Sequence, residues 1–413
     1  MDKSLNNTPV ASRTHIGFFG RMNAGKSSLI NAMTGQPVSI VSAQAGTTTD
    51  VVKKTMEIHG IGPCVLLDTA GFDDEGEIGK MRVAAARRAA ESTDLAVILF
   101  TDKTDPAEEG SDWEKEIGWI RYFQNITTPV MAVLTQTDRR SKEENEALAA
   151  RIFARTGLKP VPVSAVSGEG LDTLREELIR LSSQKEAKRF IMGDLVREGD
   201  VVMLVMPQDP QAPEGRLILP EVQTIREALD RKCIAVCVQP EEMPLALAAL
   251  KKAPDLIVTD SQVFDVVYQQ KPAESRLTSF SVLFAALKGD IDYYVESVKA
   301  IEGLTENSRV LIAECCTHAP LDEDIGRVKI PAMLRKRTGP GLTVDVTAGS
   351  EFPEDLDKYD LVIQCGGCMF NRKYVCARIQ RAKDAGVPMT NYGITIAYVK
   401  GILDRIDTGS SRA

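Results

Sequence analysis

The chain has no apolar run approaching the ~18 consecutive residues that a bilayer-crossing helix needs, so no membrane association is expected. It also lacks an excess of positive charge: 50 Lys and Arg against 58 Asp and Glu leave a net charge of −8. A surface built to grip nucleic acid normally shows a basic stripe, and the one compact basic cluster here is Arg335-Lys336-Arg337. No nucleic-acid partner is expected. The opening residues, Met1-Asp2-Lys3-Ser4-Leu5-Asn6-Asn7, lack the apolar stretch of a secretion signal, which points to a cytoplasmic location. In that reducing compartment the eight cysteines do not read as a disulfide framework, and metal binding competes with plain burial to explain them. Internal repeats and low-complexity tracts are absent as well.

What is there reads as α/β. A length of 413 residues exceeds one ordinary core. Residues 14–180 alternate short apolar runs with helix-like stretches, the pattern of a parallel sheet covered on both faces. His15–Gly20, Val65–Asp68, Leu95–Phe100, Val130–Thr135 and Val161–Ser164 are the expected strands. A charged linker, Gln184-Lys185-Glu186-Ala187-Lys188-Arg189, follows. A second, smaller α/β block has strands at Val201–Met206, Cys233–Val238 and Leu256–Thr259. Its thin core suggests a partner copy. A third block has strands at Val310–Ala313, Leu342–Val346 and Leu361–Gln364, with Lys329–Gly341 as a loop. The expected domains are therefore 1–183, 190–262 and 263–413.

The front of the chain carries Gly20-x4-Gly25-Lys26-Ser27 after a strand and before a helix, the context a phosphate loop requires. There Asn23, Ala24, Gly25, Lys26, Ser27 and Ser28 would surround phosphates with backbone N–H groups at a helix N-terminus. Lys26 would reach the β/γ-phosphates and Ser27 would hold Mg²⁺. Thr48, within Gly46-Thr47-Thr48-Thr49-Asp50, offers a second hydroxyl to the metal. Asp68 ends a strand where it can bind the metal's water shell, and the Gly71 N–H faces the γ-phosphate. Ser164 and Ala165 end another strand and precede Gly168-Glu169-Gly170. Asp138 can accept both the N1–H and the exocyclic amine of guanine, which adenine cannot match, although Thr135-Gln136 stand where an Asn-Lys pair usually precedes that carboxylate. This order of motifs resembles the G domain of the translation-factor-related GTPases, in particular the TrmE and Era branch. The resemblance implies GTP hydrolysis stimulated by K⁺ held at Asn23, with Glu77 positioning the water, because Phe72 stands where Ras-like enzymes place Gln.

Two cysteine groups mark the other end. Cys316-Thr317-His318 is separated by 46 residues from Cys365-Gly366-Gly367-Cys368. Both follow strand C-termini, where open α/β sheets place ligands. Cys365 and Cys368, placed at a helix start, and Cys316 can hold one metal centre; three thiolates would leave one iron of a four-iron cluster open, and zinc on Cys3His, with His318, is the rival. Cys64, Cys233, Cys237 and Cys376 read as buried, and Cys315 as turned away if its strand continues.

The chain as a whole resembles the FeFe-hydrogenase maturation GTPase family, HydF, in the order of its blocks and in Cys-x-His followed by Cys-x2-Cys; Gln364 replaces a second His. The resemblance implies a homodimer with a 4Fe-4S cluster on Cys316, Cys365 and Cys368, and a fourth ligand drawn from His318, Glu314, Glu351, water or an incoming group. It further implies a GTPase scaffold that takes a transient diiron subcluster from radical-SAM maturases and delivers it to apo-FeFe-hydrogenase. Two alternatives are an RNA-assembly GTPase and a GTPase-regulated zinc scaffold.

Overall fold

The computed structural model describes residues 8–35, 51–72, 76–102, 113–183, 189–208, 217–315 and 324–409, with the backbone alone at 76–80. The chain divides into two compact units, 1–186 and 187–413.

In the first unit the order is β1 (Thr14–Phe19), α1 (Lys26–Thr34), β2 (Val52–Ile58), β3 (Gly62–Asp68), α2 (Gly76–Glu91), β4 (Leu95–Phe100), α3 (Glu114–Asn125), β5 (Val130–Leu134), α4 (Lys142–Thr156), β6 (Val161–Pro162) and α5 (Leu171–Ser183). The sheet runs β2-β3-β1-β4-β5-β6, parallel except for β2. Every residue of β4 is buried, as expected of a strand covered on both faces, whose sequence is then continuously apolar rather than alternating. β2 is an antiparallel edge with mostly exposed residues, and its Lys- and Glu-bearing sequence hides it from an apolar-run reading. His15, in β1, is buried with its ring nitrogens 3.0 Å from the Ser92 oxygen and 3.2 Å from that of Val10, a structural histidine.

Local chemistry sets the helix ends. Ser141 and Glu144 form a reciprocal cap on α4: the Glu144 N–H donates to Ser141 Oγ at 3.2 Å, and the Ser141 N–H to Glu144 Oε2 at 2.8 Å. α5 buries Leu174, Leu178 and Leu181 at i, i+4 and i+7. The turn before it needs Gly170, which has φ +79° and would put a Cβ 2.0 Å from the Pro162 carbonyl oxygen.

The second unit holds two parallel four-stranded sheets. In the first, β7 (Val201–Val205), α6 (Leu219–Asp230), β8 (Ile234–Val238), α7 (Met243–Ala249), β9 (Leu256–Thr259), α8 (Phe264–Gln270) and β10 (Arg276–Ser279) give the order β10-β9-β7-β8. Then follow α9 (Phe280–Lys288), α10 (Ile291–Ser297), β11 (Arg309–Ala313), α11 (Ile330–Thr338), β12 (Thr343–Thr347), β13 (Leu361–Gln364), α12 (Arg372–Asp384), β14 (Met389–Asn391) and α13 (Tyr392–Val399), with sheet order β12-β11-β13-β14. The middle sheet thus takes β10, paired to β9, from beyond residue 262, so the expected 262/263 boundary cuts a sheet. The two sheets share one apolar core that includes Met203, Ile257, Leu277, Val310, Ile312 and Ile363. α9 packs against α6, α12 and α13.

Lys329–Gly341 is not a loop: Ile330–Thr338 is helical, with Pro331 in its first turn and Ile330 and Leu334 buried at i, i+4. Cys237 is exposed, because β8 is an edge strand. Replacing Gly170 by Ala should cost roughly 1–3 kcal/mol, from the left-handed backbone and the Pro162 contact. The check is a lower denaturation midpoint for the first unit at unchanged slope; an unchanged midpoint would contradict the geometry.

Candidate functional site

The loop between β1 and α1 is held open by left-handed backbone at Asn23 (φ 60°) and Gly25 (φ 90°). At Gly25, only a residue without Cβ adopts this readily. Lys26 is buried and its ammonium donates to the carbonyl oxygens of Gly20 at 2.9 Å and Arg21 at 2.8 Å. Register pairs Phe18 with Asp68 across β1 and β3, which brings Asp68 to the loop, where the Ser27 hydroxyl hydrogen-bonds its carboxylate. Burial pushes the Asp68 carboxyl up, against the opposing pull of that hydroxyl and of Lys26. A hydroxyl and a carboxylate in contact beside a helix N-terminus form an arrangement suited to Mg²⁺ with its phosphate.

A cleft at the other end of the loop is lined by Gly25, Ser28, Thr135, Gln136, Asp138 and Ala165, among others. Ser164 Oγ donates to Asp138 Oδ1 at 2.7 Å, and that hydroxyl holds the exposed carboxyl below its usual range. Ser164 Oγ in turn accepts from the N–H groups of Val166 at 3.2 Å and Ser167 at 3.1 Å. The pair that departs from the usual Asn-Lys has a visible task. Thr135 Oγ1 lies 2.8 Å from the Ala24 oxygen and 3.1 Å from that of Phe100, and Gln136 Nε2 donates to the Asn23 oxygen at 2.8 Å. Both side chains therefore clamp the phosphate loop.

Gly71 is buried just past β3, and Phe72 turns its ring onto Trp119, 6.2 Å between centroids, in an aromatic core with Phe19 and Phe123. Glu77 falls on the first turn of α2, described by its backbone alone, and Thr48 lies outside the described residues. The structure thus brings together Asn23, Ala24, Gly25, Lys26, Ser27, Ser28, Asp68, Gly71, Asp138, Ser164 and Ala165 at the carboxyl edge of one sheet.

In the second unit β11 and β13 are neighbours, Ala313 opposite Gln364, and their C-termini carry the cysteines. Cys365 and Cys368 are half-buried on the loop after β13; α12 starts only at Arg372, capped by Asn371, so these thiols precede the helix instead of opening it. Cys315 is not turned away. β11 ends at Ala313, and the Cys315 N–H donates to Cys365 Sγ at 3.2 Å. The Cys315 thiol also hydrogen-bonds Cys365 and holds it below its usual range, while burial pushes Cys315 itself well up. Cys316 and His318 lie outside the described residues, and among the described residues no three His, Cys, Asp or Glu converge as a metal-holding group. Glu314 is engaged by Arg327 at 2.9 and 3.1 Å, and the Glu351 side chain is exposed.

Two cations flank the cysteine loop, neither foreseen from sequence. Lys288, the last residue of α9, is buried and donates to the carbonyl oxygens of Gly367 at 2.8 Å, Cys368 at 3.2 Å and Phe370 at 2.7 Å. Burial pushes its ammonium down and the sulfurs of Cys368, Cys315 and Cys365 pull it back up. Arg378, on α12, is 0% exposed, with its guanidinium 4.9 Å from the rings of both Phe352 and Phe370 and 5.1 Å from that of Tyr374.

Family models match the chain in three stretches. Residues 15–136 match the 50S ribosome-binding GTPase model, 191–289 the hydrogen maturase F dimerization domain, and 292–407 the hydrogen maturase F tetramerization domain. The chain belongs to the hydrogen maturase F family. It carries a GTP- and Mg²⁺-binding GTPase domain of the TrmE/Era kind, followed by the two α/β oligomerisation domains of that family. The chain is 33% identical over 186 residues to the tRNA modification GTPase MnmE of Burkholderia thailandensis and 35% identical over 187 residues to that of Paraburkholderia xenovorans. Each alignment covers 45% of this chain, and the chain spans only 38% and 37% of those relatives. A solved structure of Era with MgGDPNP and a 16S ribosomal RNA fragment aligns at 20% identity and a TM-score of 0.34, over 58% of this chain and 98% of that one. The family's domain boundary, between residues 289 and 292, falls just after α9. None of the described helices is long and apolar enough to cross a membrane.

Asp138→Asn exchanges an acceptor pair for a mixed donor and acceptor. GTP affinity should fall by at least ~100-fold while xanthosine triphosphate affinity rises, since charged hydrogen bonds contribute about 1.5–3 kcal/mol each. Fluorescent-nucleotide titration reads both; unchanged GTP affinity would remove Asp138 from the base site.

Proposed function

We propose that this chain is a homodimeric, K⁺-stimulated GTPase that carries a 4Fe-4S cluster, receives a diiron precursor from radical-SAM maturases and delivers it to apo-FeFe-hydrogenase. The observation that carries this reading is the joining of a GTPase domain to both hydrogen maturase F domains in one chain, with cysteines at adjacent strand ends of the last sheet. Cys316, Cys365 and Cys368 would hold the cluster, with His318 a candidate fourth ligand. The residues present fit a thiolate-bound, net-negative group: two thiols share one loop, and the buried Lys288 ammonium feels their sulfurs. Bound there, the cluster would supply one iron whose non-cysteine position can exchange, a place for the diiron cargo to attach.

In the G domain, Lys26 and Gly71 would neutralise charge on the γ-phosphate, Ser27 and Thr48 would hold Mg²⁺, Asn23 would hold K⁺, and Glu77 would place the water. Phe72, committed to the aromatic core, leaves that last task to another residue. The nucleotide state then changes affinity for partners through differential contacts rather than acting on iron. The edge strand β8 supports self-association: Ile234 is 55% exposed there and lies near Leu229 in sequence, itself 58% exposed.

Cys365→Ser or Cys368→Ser should abolish hydrogenase activation and lower bound iron, yet leave GTP turnover within about twofold. Iron analysis beside phosphate release checks this, and parallel loss of both activities would contradict two separable sites. Replacing K⁺ by Na⁺ should lower kcat by ~10-fold or more, and Asn23→Ala should erase the difference. Equal rates in the two salts would remove K⁺ from the mechanism.

A further inference from the structure

Lys288 reaches the cysteine loop from α9 and meets three carbonyl oxygens, those of Gly367, Cys368 and Phe370, at 2.7–3.2 Å. A neutral amine has two hydrogens and an ammonium three, so this set of acceptors is satisfied only by the charged form. Arg378 gives Nη2 to the oxygens of Gly349 at 2.6 Å and Glu351 at 3.2 Å, while its buried Nε and Nη1 have no hydrogen-bond partner. The rings of Phe352, Phe370 and Tyr374 offset part of its desolvation through their quadrupoles, but a ring face carries no net charge. Among the described residues neither cation has a carboxylate partner within 4 Å; the carboxylate nearest in sequence to the Arg378 acceptors, that of Glu351, is exposed. Two buried positive charges without counter-charge are costly unless a negative group completes the site. Both cations act on sulfur: Lys288, which holds the carbonyl of Cys368, feels the sulfurs of Cys368, Cys315 and Cys365, and Arg378, packed on Phe370, draws the Cys315 thiol down against its burial.

We propose that Lys288 and Arg378 are the built-in counter-charges of the cysteine site, positioning residues that make it a receptor for a net-anionic, thiolate-ligated metal group and set that group's reduction potential. The inference rests on the cluster reading given under the proposed function. Reduction adds negative charge to such a group, so a fixed cation nearby stabilises the reduced form and raises the potential. Lys288 has a second effect: its three donors pin the loop from Gly367 to Phe370 to α9, so the Cys368 end of the loop is held before any metal arrives.

The test uses the full chain, reconstituted anaerobically with iron and sulfide, and an EPR-monitored redox titration. Lys288→Gln and Arg378→Gln remove a charge and keep N–H donors; Lys288→Arg and Arg378→Lys keep the charge. Each neutral variant should shift the midpoint to more negative potential, the shifts should add in the double variant, and the charge-keeping variants should stay with the wild type. A neutral variant that folds but retains no iron, beside a charge-keeping one that does, supports the proposal equally. Midpoints that do not move in the neutral variants, or that move as far in the charge-keeping ones, overturn it. If neutral Lys288 variants do not fold, the Arg378 pair decides alone. Wild-type protein that takes up no iron and sulfide at all overturns the underlying cluster reading instead, so the two failures are told apart.

Discussion

Parallel strands buried on both faces leave little room for chemistry except at their carboxyl ends, and that constraint organises both halves of this chain. Within β1, β4, β11 and β13 nearly every side chain is buried and the strands are hydrogen-bonded to neighbours on both sides. Polar and reactive groups therefore gather where the ladders stop: the phosphate loop after β1, Asp68 at the end of β3, Asp138 past β5, and the cysteines past β11 and β13. The sheet supplies rigidity and the loop supplies the reactive atom, which suits sites that must hold a multiply charged ligand in one place.

The G-domain site was largely legible in the residue order because its glycines, lysine and carboxylates act through backbone geometry that fixed spacings encode. The task of Thr135 and Gln136 was not, since only the folded chain shows that they reach Ala24 and Asn23. Strands β10 and β14 were missed for a plain reason: four and three residues respectively, with Arg, Ser and Asn among them, carry too little periodicity to separate from loop. Missing β10 displaced the expected domain boundary. The helix at Ile330–Thr338 was hidden by its Pro and basic residues, although Pro is tolerated in a first turn.

In the cysteine region, sequence spacing placed Cys365 and Cys368 past a strand end, where the structure also has them, but said nothing of their surroundings. Cys315 was expected to face away on the assumption that β11 continued; the strand ends two residues earlier, and the thiol meets Cys365. Lys288 closes an otherwise apolar helix and Arg378 sits in a helix with many basic neighbours, so neither stands out in one dimension. Long-range packing alone brings them to the loop. The consequence is a site whose charge balance is complete only when something negative occupies it, which ties the stability of the region to its load.

Most depends on the proposed iron–sulfur centre on the cysteines of the last sheet. Iron, sulfide and zinc analysis of anaerobically reconstituted protein, combined with mapping of which cysteines resist alkylation, tests it most directly. Expected are about four iron and four sulfide per chain, with Cys316, Cys365 and Cys368 protected until a chelator is added. Stoichiometric zinc without sulfide, or Cys365 and Cys368 modified as readily before the chelator as after it, would contradict it.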